Sequence, residues 1–178
     1  MTGTQGGTKV AGRVEGRIGG AVVGNDIRVS CEGGRLSGRF GGAVIGKDVD
    51  LTFDGAVLRG RWGGVWNGKD LHFTIRGTEG RGRMGGSVVG WDIALVQDGD
   101  RIAGRIGGAV SGADLRLTAG DGRLTGRIGG SVFGKDCDLQ VEGVPYLVAA
   151  ALAAMVYSQM HPDSSNNTSS SSGSARPR

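Results

Sequence analysis

Six arginines and six aspartates recur in step along this chain. Arg17, Arg39, Arg61, Arg83, Arg105 and Arg127 stand 22 residues apart, as do Asp26, Asp48, Asp70, Asp92, Asp114 and Asp136. A ring of carboxylates is the chemistry of a calcium site, and a ring of guanidiniums that of an anion site. If the repeats close into a ring of roughly 13 Å radius, neighbouring carboxylates sit about 13 Å apart, whereas a cation needs its oxygens within about 2.6 Å. The aspartates are therefore expected to bond locally to turn N–H groups. The arginines are expected to form an outward, solvated ion-pair belt.

The remaining reactive side chains are sparse. Cys31 and Cys137 fall on inward strand positions near opposite strand ends, which argues against a disulfide and for buried thiols. His72 and His161 lie far apart in sequence, and neither has a nucleophile or acid partner at catalytic spacing. Patterns such as Gly38-Arg39-Phe40-Gly41 lack the following helix that a phosphate or dinucleotide cradle needs. The expectation is a non-enzymatic protein with no cofactor and no metal site. The net charge of +4 comes from 21 Lys+Arg against 17 Asp+Glu, and part of the excess, Lys9, Arg176 and Arg178, lies in the termini. The basic face that nucleic acid requires is missing, and no nucleic-acid partner is expected.

The elements that must position these residues follow from the repeat itself. Of 178 residues, 38 are glycine and only 3 proline. GRIGG, GRFGG, GRWGG, GRMGG, GRIGG and GRIGG begin at Gly16, Gly38, Gly60, Gly82, Gly104 and Gly126 without an insertion. In the unit starting at Arg35, apolar and polar residues alternate through Leu36–Ile45 and again through Asp48–Asp54, the period of strands with one apolar face. Two-residue turns with glycine first are predicted at Gly24-Asn25, Gly46-Lys47, Gly68-Lys69, Gly90-Trp91, Gly112-Ala113 and Gly134-Lys135. Between units they are predicted at Gly33-Gly34, Gly55-Ala56, Gly77-Thr78, Gly99-Asp100 and Asp121-Gly122. This register sets Arg39 against Asp54, Arg17 against Glu32, Arg83 against Asp98 and Arg127 against Glu142, with Arg61–Arg76 and Arg105–Gly120 as mismatches. It also makes each first strand longer than the second.

A sheet that is apolar on one side avoids free edges by closing. Residues 144–157, VPYLVAAALAAMVY, carry no charge and are apolar all round, the mark of a buried helix, and too short to span a bilayer. The expected fold class is mainly β: a closed twelve-stranded antiparallel meander barrel of six 22-residue hairpin repeats around a central C-terminal hydrophobic helix. The domains are a flexible N-terminus (1–12), the barrel (13–144), the central helix (145–160) and a disordered Ser-rich tail (161–178). Gly20, Gly42, Gly64, Gly86, Gly108 and Gly130 are predicted to point inward beside the Ala-rich helix. This architecture resembles the Tubby C-terminal fold shared by the phospholipid scramblases, and looks like the symmetrical repeat-built bacterial barrels called β-flowers. The resemblance is architectural and spans residues 13–160.

Chain direction returns the helix to the Gly-Lys-Asp rim, so Tyr157 and the tail should emerge there. That rim gathers the apolar residues Val23, Ile45, Val89 and Phe133, the turn residue Trp91, and the cations Lys47, Lys69 and Lys135. Apolar tips with lysines fit an anionic membrane interface. The functional expectation is a β-barrel module that binds anionic lipid peripherally at a membrane surface. The alternatives are a protein- or glycan-interaction scaffold, and a tail-anchored protein held through residues 144–160. The N-terminus, MTGTQGGTKV, lacks the features of a secretory signal, so the expected location is cytoplasmic, peripheral at a membrane.

Overall fold

A computed structural model describes residues 11–20, 22–41, 46–63, 68–86, 90–107 and 112–161. The alternating segments form β1 (Ala11–Gly19), β2 (Gly24–Glu32), β3 (Arg35–Gly41), β4 (Gly46–Phe53), β5 (Val57–Trp62), β6 (Lys69–Arg76), β7 (Glu79–Gly85), β8 (Gly90–Asp98), β9 (Arg101–Gly107), β10 (Gly112–Gly120), β11 (Arg123–Ile128) and β12 (Lys135–Glu142). The helix α1 spans Tyr146–Met160. Each strand pairs antiparallel with its neighbours in sequence, and β12 pairs with β1 to close the barrel. Glu15 stands across from Arg28, and Arg28 across from Arg39. Passing one unit therefore leads from residue 15 to residue 39, two more than the 22-residue repeat. That stagger over six units equals the number of strands, the same ratio that tilts the strands of eight-stranded barrels by about 36°.

The pairing register within each hairpin differs from the one predicted. Gly41 pairs with Gly46 and Arg39 with Asp48, so Gly46 and Lys47 open β4 rather than forming the turn; in the last unit, described throughout, the turn is the four residues Gly130–Phe133. Likewise Gly19 pairs with Gly24, Gly85 with Gly90 and Gly107 with Gly112. Charge pairing explains the preference: in this register all six repeat arginines face the six repeat aspartates, and the Arg61–Arg76 and Arg105–Gly120 mismatches vanish. The first strand of each unit is consequently no longer than the second. Between units the two-residue turns Gly33-Gly34, Gly77-Thr78, Gly99-Asp100 and Asp121-Gly122 form as expected, the last with φ of 49° and 73°. Gly55-Ala56 instead lies in a longer turn, where Asp54 Oδ1 accepts the N–H groups of Ala56 at 3.0 Å and Val57 at 2.7 Å. The barrel begins two residues before position 13, at Ala11.

Inward residues such as Val14, Leu36, Leu51, Leu58, Ile102 and Leu124 are buried. Outward positions are polar or small apart from Val57 and Val96, the inverse of the apolar-out pattern of a membrane-spanning barrel. The glycine that opens each GRxGG motif occupies an inward position in mid-strand. At Gly38 an added Cβ would collide with the carbonyl oxygen of Arg28, and at Gly104 with that of Ala94. These glycines let adjacent strands coil closely enough to close the barrel. The expected inward set, in contrast, lies elsewhere: Gly20, Gly86 and Gly130 are exposed at the rim, because the four-residue turns start there. Gly42, Gly64 and Gly108 lie outside the described residues.

The chain leaves β12 through Gly143–Pro145 and runs back through the barrel as α1, with Leu147 to Ser158 continuously buried. Its apolar surface on every side matches an environment with core on every side. The helix lies closest to β1, β2 and β8–β12. The opposite wall is built from larger side chains at equivalent repeat positions, Phe40, Trp62 and Met84, where the near wall carries Ile18, Ile106 and Ile128. Phe73 adds to that wall. Its ring occupies the space left by Gly80, where an added Cβ would come 2.9 Å from Phe73 Cε1, so the irregular start of the fourth unit is matched by a larger residue in the third.

Candidate functional site

The barrel has two unlike mouths. One carries tight turns and the helix entrance. The other carries the four-residue turns, the Gly-Lys-Asp segments and the end of α1, and this rim holds the sequence-predicted site. At each of its turns an arginine pairs with the aspartate on the following strand. Arg17 Nη1 donates to Asp26 at 2.6 Å and its Nε to the Gly20 carbonyl at 3.1 Å. Arg83 does the same with Asp92 at 2.6 Å and Gly86 O at 3.2 Å. Arg39–Asp48, Arg61–Asp70 and Arg105–Asp114 pair at 2.9, 3.3 and 3.0 Å, and Arg127 pairs with Asp136 while reaching the carbonyls of Gly130 and Ser131. The aspartates thus bond to arginines rather than to turn N–H groups. Each pair is solvent-exposed and stabilises by only about 0.2–1 kcal/mol, but together they compensate the charge of all six rim carboxylates.

Lys47, Lys69 and Lys135 open β4, β6 and β12 at inward positions, across from Phe40, Trp62 and Ile128. All three are half-buried, the state of a lysine whose stem covers apolar side chains while its ammonium reaches water. They share this mouth with the C-terminal end of α1, which has no basic residue in its own last turn, and positive charge is favourable there. Among the described residues, Trp62 Nε1 and Gln159 Nε2, buried there, have no hydrogen-bond partner.

Trp91 occupies the same repeat position as the lysines but is 8% exposed, so the expected exposed turn residue is a core residue. The register places it in β8 opposite Met84, and its ring meets Tyr157 edge-on, with centroids 6.5 Å apart. Tyr157 stacks on His161 at 4.3 Å, and burial pushes its phenol pKa up. The helix end therefore emerges at this rim.

The apolar tips lie on the turns themselves. Val23 and Phe133 are 61% and 82% exposed, and their neighbours Val22 and Val132 are 95% and 77% exposed. The two turns are adjacent around the barrel because β12 pairs with β1. Val22 and Val132 were not among the predicted site residues, since a two-residue turn at the following glycine places them inside a strand. The signal is the recurring frame of two glycines, three further residues with at least one large apolar side chain among them, and a closing glycine. Ile45 and Val89 lie outside the described residues.

Cys31 and Cys137 are both buried and form no disulfide, and burial pushes the Cys137 thiol up to about 12. Among the described residues no three His, Cys, Asp or Glu side chains come together to hold a metal ion, and no helix is long and apolar enough to cross a membrane. Compared with family models, with curated proteins and with solved structures, the chain matches none.

Proposed function

We propose that this chain is a non-enzymatic β-barrel module that docks peripherally on anionic lipid surfaces through the rim where its helix ends. The observation that carries this reading is the cluster of Val22, Val23, Val132 and Phe133, exposed on two adjacent turns of that rim beside Lys135. Large apolar side chains held at turn tips on a charged barrel fit an interface that is itself half apolar. The arginine pairing supports the electrostatic half of the reading. With the rim aspartates compensated, Lys47, Lys69 and Lys135 leave a positive excess, and each lysine near an anionic surface contributes about 1 kcal/mol.

The other readings have less behind them. A glycan platform needs exposed aromatic faces, whereas Trp62 and Trp91 are buried. Tail anchoring would require α1 to leave a barrel in which it is buried along twelve consecutive residues, Leu147 to Ser158. Co-sedimentation of the full chain with vesicles of mixed phosphatidylserine and phosphatidylcholine tests the proposal. Binding should fall at least tenfold in a Val23→Asp/Phe133→Asp variant, and should be screened by salt. Failure of the unsubstituted chain to sediment at low salt would overturn the lipid reading and favour a protein-interaction scaffold.

A further inference from the structure

The mouth opposite the lysine rim contains a cavity of about 690 Å³, lined by Cys31, Leu36, Phe53, Val141, Val144 and Tyr146. Its volume falls within the roughly 300–1,000 Å³ of small-molecule sites. Its origin lies in the off-centre helix: α1 lies closest to β1, β2 and β8–β12, and the large residues Phe40, Trp62 and Met84 fill the space it leaves only towards the other end. At the entrance end the corresponding space between α1 and β3–β4 stays open, and the apolar side chains of Phe53, Val144 and Tyr146 are only partly buried around it. The lining is anchored, because Tyr146 Oη accepts the Gly122 N–H at 3.1 Å. Access is unobstructed at the turns: a Cβ added at Gly33 or Gly55, both of which border the cavity, would meet nothing within 4 Å.

The polar groups at the opening decide which ligand fits. Among the described residues no lysine or arginine lines the cavity, and the one charged side chain in its lining is Asp54. Backbone N–H donation from Val57 and Ala56 holds the Asp54 carboxyl below its ordinary pKa, so it is ionised at neutral pH. A carboxylate or phosphate head at this mouth would face a like charge, and the cation that acts on Asp54, Arg59, stands outside the lining. We infer that the cavity is a binding site for a single alkyl chain bearing an uncharged hydroxyl head, the chain lying between α1 and β3–β4 and the hydroxyl at the mouth near Asp54. The site is separate from the rim at the other end of the barrel and does not depend on what that rim binds.

Displacement of Nile red from the full-length chain by dodecanol and by dodecanoate tests this inference. Dodecanol should displace the dye saturably at one molecule per chain, and dodecanoate at least tenfold more weakly at neutral pH. Val141→Phe, which adds volume inside the cavity, should weaken dodecanol at least tenfold, whereas Phe133→Ser at the far rim should leave it unchanged. A second readout needs no variant: dodecanol should slow maleimide labelling of Cys31, which lines the cavity, while Cys137, buried elsewhere in the barrel, gives the background rate. Non-saturating displacement, equal affinity for the alcohol and the acid, or unprotected Cys31 would overturn the inference.

Discussion

Arg127 shows the fullest form of the arginine–aspartate pairing that the repeat makes six times. Its guanidinium joins Asp136 on the next strand to the carbonyls of Gly130 and Ser131 in the turn between them. The exposed ion pair is weak, and the turn contacts add to it. Arg127→Ala is expected to cost about 1 kcal/mol, lowering the melting temperature by roughly 2–4 °C at this chain length. Arg127→Lys should recover only part of this, because a lysine lacks the fork that spans both partners. Cys137 supports a prediction with a defined sign. Burial raises its thiol pKa from 9.0 to about 12, so the folded state holds the proton more tightly than the unfolded one. Its contribution is complete below the unfolded value and is lost as pH rises from about 9 towards about 12. Urea titrations should show it falling by about 2 kcal/mol between pH 9.0 and 10.5, at 1.4 kcal/mol per unit, and a Cys137→Val variant should lack that component of the slope.

At the scale of elements, the helix and the mid-strand glycines make the closed barrel possible. Leu152 is fully buried within α1, and Leu152→Asp would place an unpaired carboxylate in the core at a cost of several kcal/mol. Circular dichroism should show the variant unfolded or melting far below the parent, and a melting point within about 3 °C would contradict an internal helix. Gly38→Ala should destabilise by at least about 2 kcal/mol, since the new methyl meets backbone rather than a movable side chain. The strands, their inward and outward faces and the helix were legible from alternation and charge. Pairing was not. Pairing Arg39 with Asp48 instead of Asp54 shifts the register by an even number of residues, so every inward residue stays inward while every partner changes. Trp91 and Lys47 were therefore given the right repeat position but the wrong surroundings, and the off-centre helix, which leaves one mouth open, has no counterpart in a six-fold repeat.

Over the whole molecule, six nearly equivalent hairpins yield a barrel with two different ends. At one end the carboxylates are paired with arginines, half-buried lysines line the mouth and apolar turn tips are exposed; at the other a cavity opens beside the helix entrance. The sequence showed the lysines and some of the apolar tips, but the compensation depends on pairing across strands that only the structure displays. Trp91 is too deeply buried to report on contact at the rim. A Phe133→Trp substitution in a chain whose Trp66 is replaced by Phe puts the indole at an exposed tip instead, with Trp62 and Trp91 as a buried background. On addition of phosphatidylserine-containing vesicles at low salt, its emission should shift to the blue, and the shift should be absent with pure phosphatidylcholine and reversed by high salt. An unshifted spectrum with anionic vesicles at low salt would contradict lipid docking through this rim.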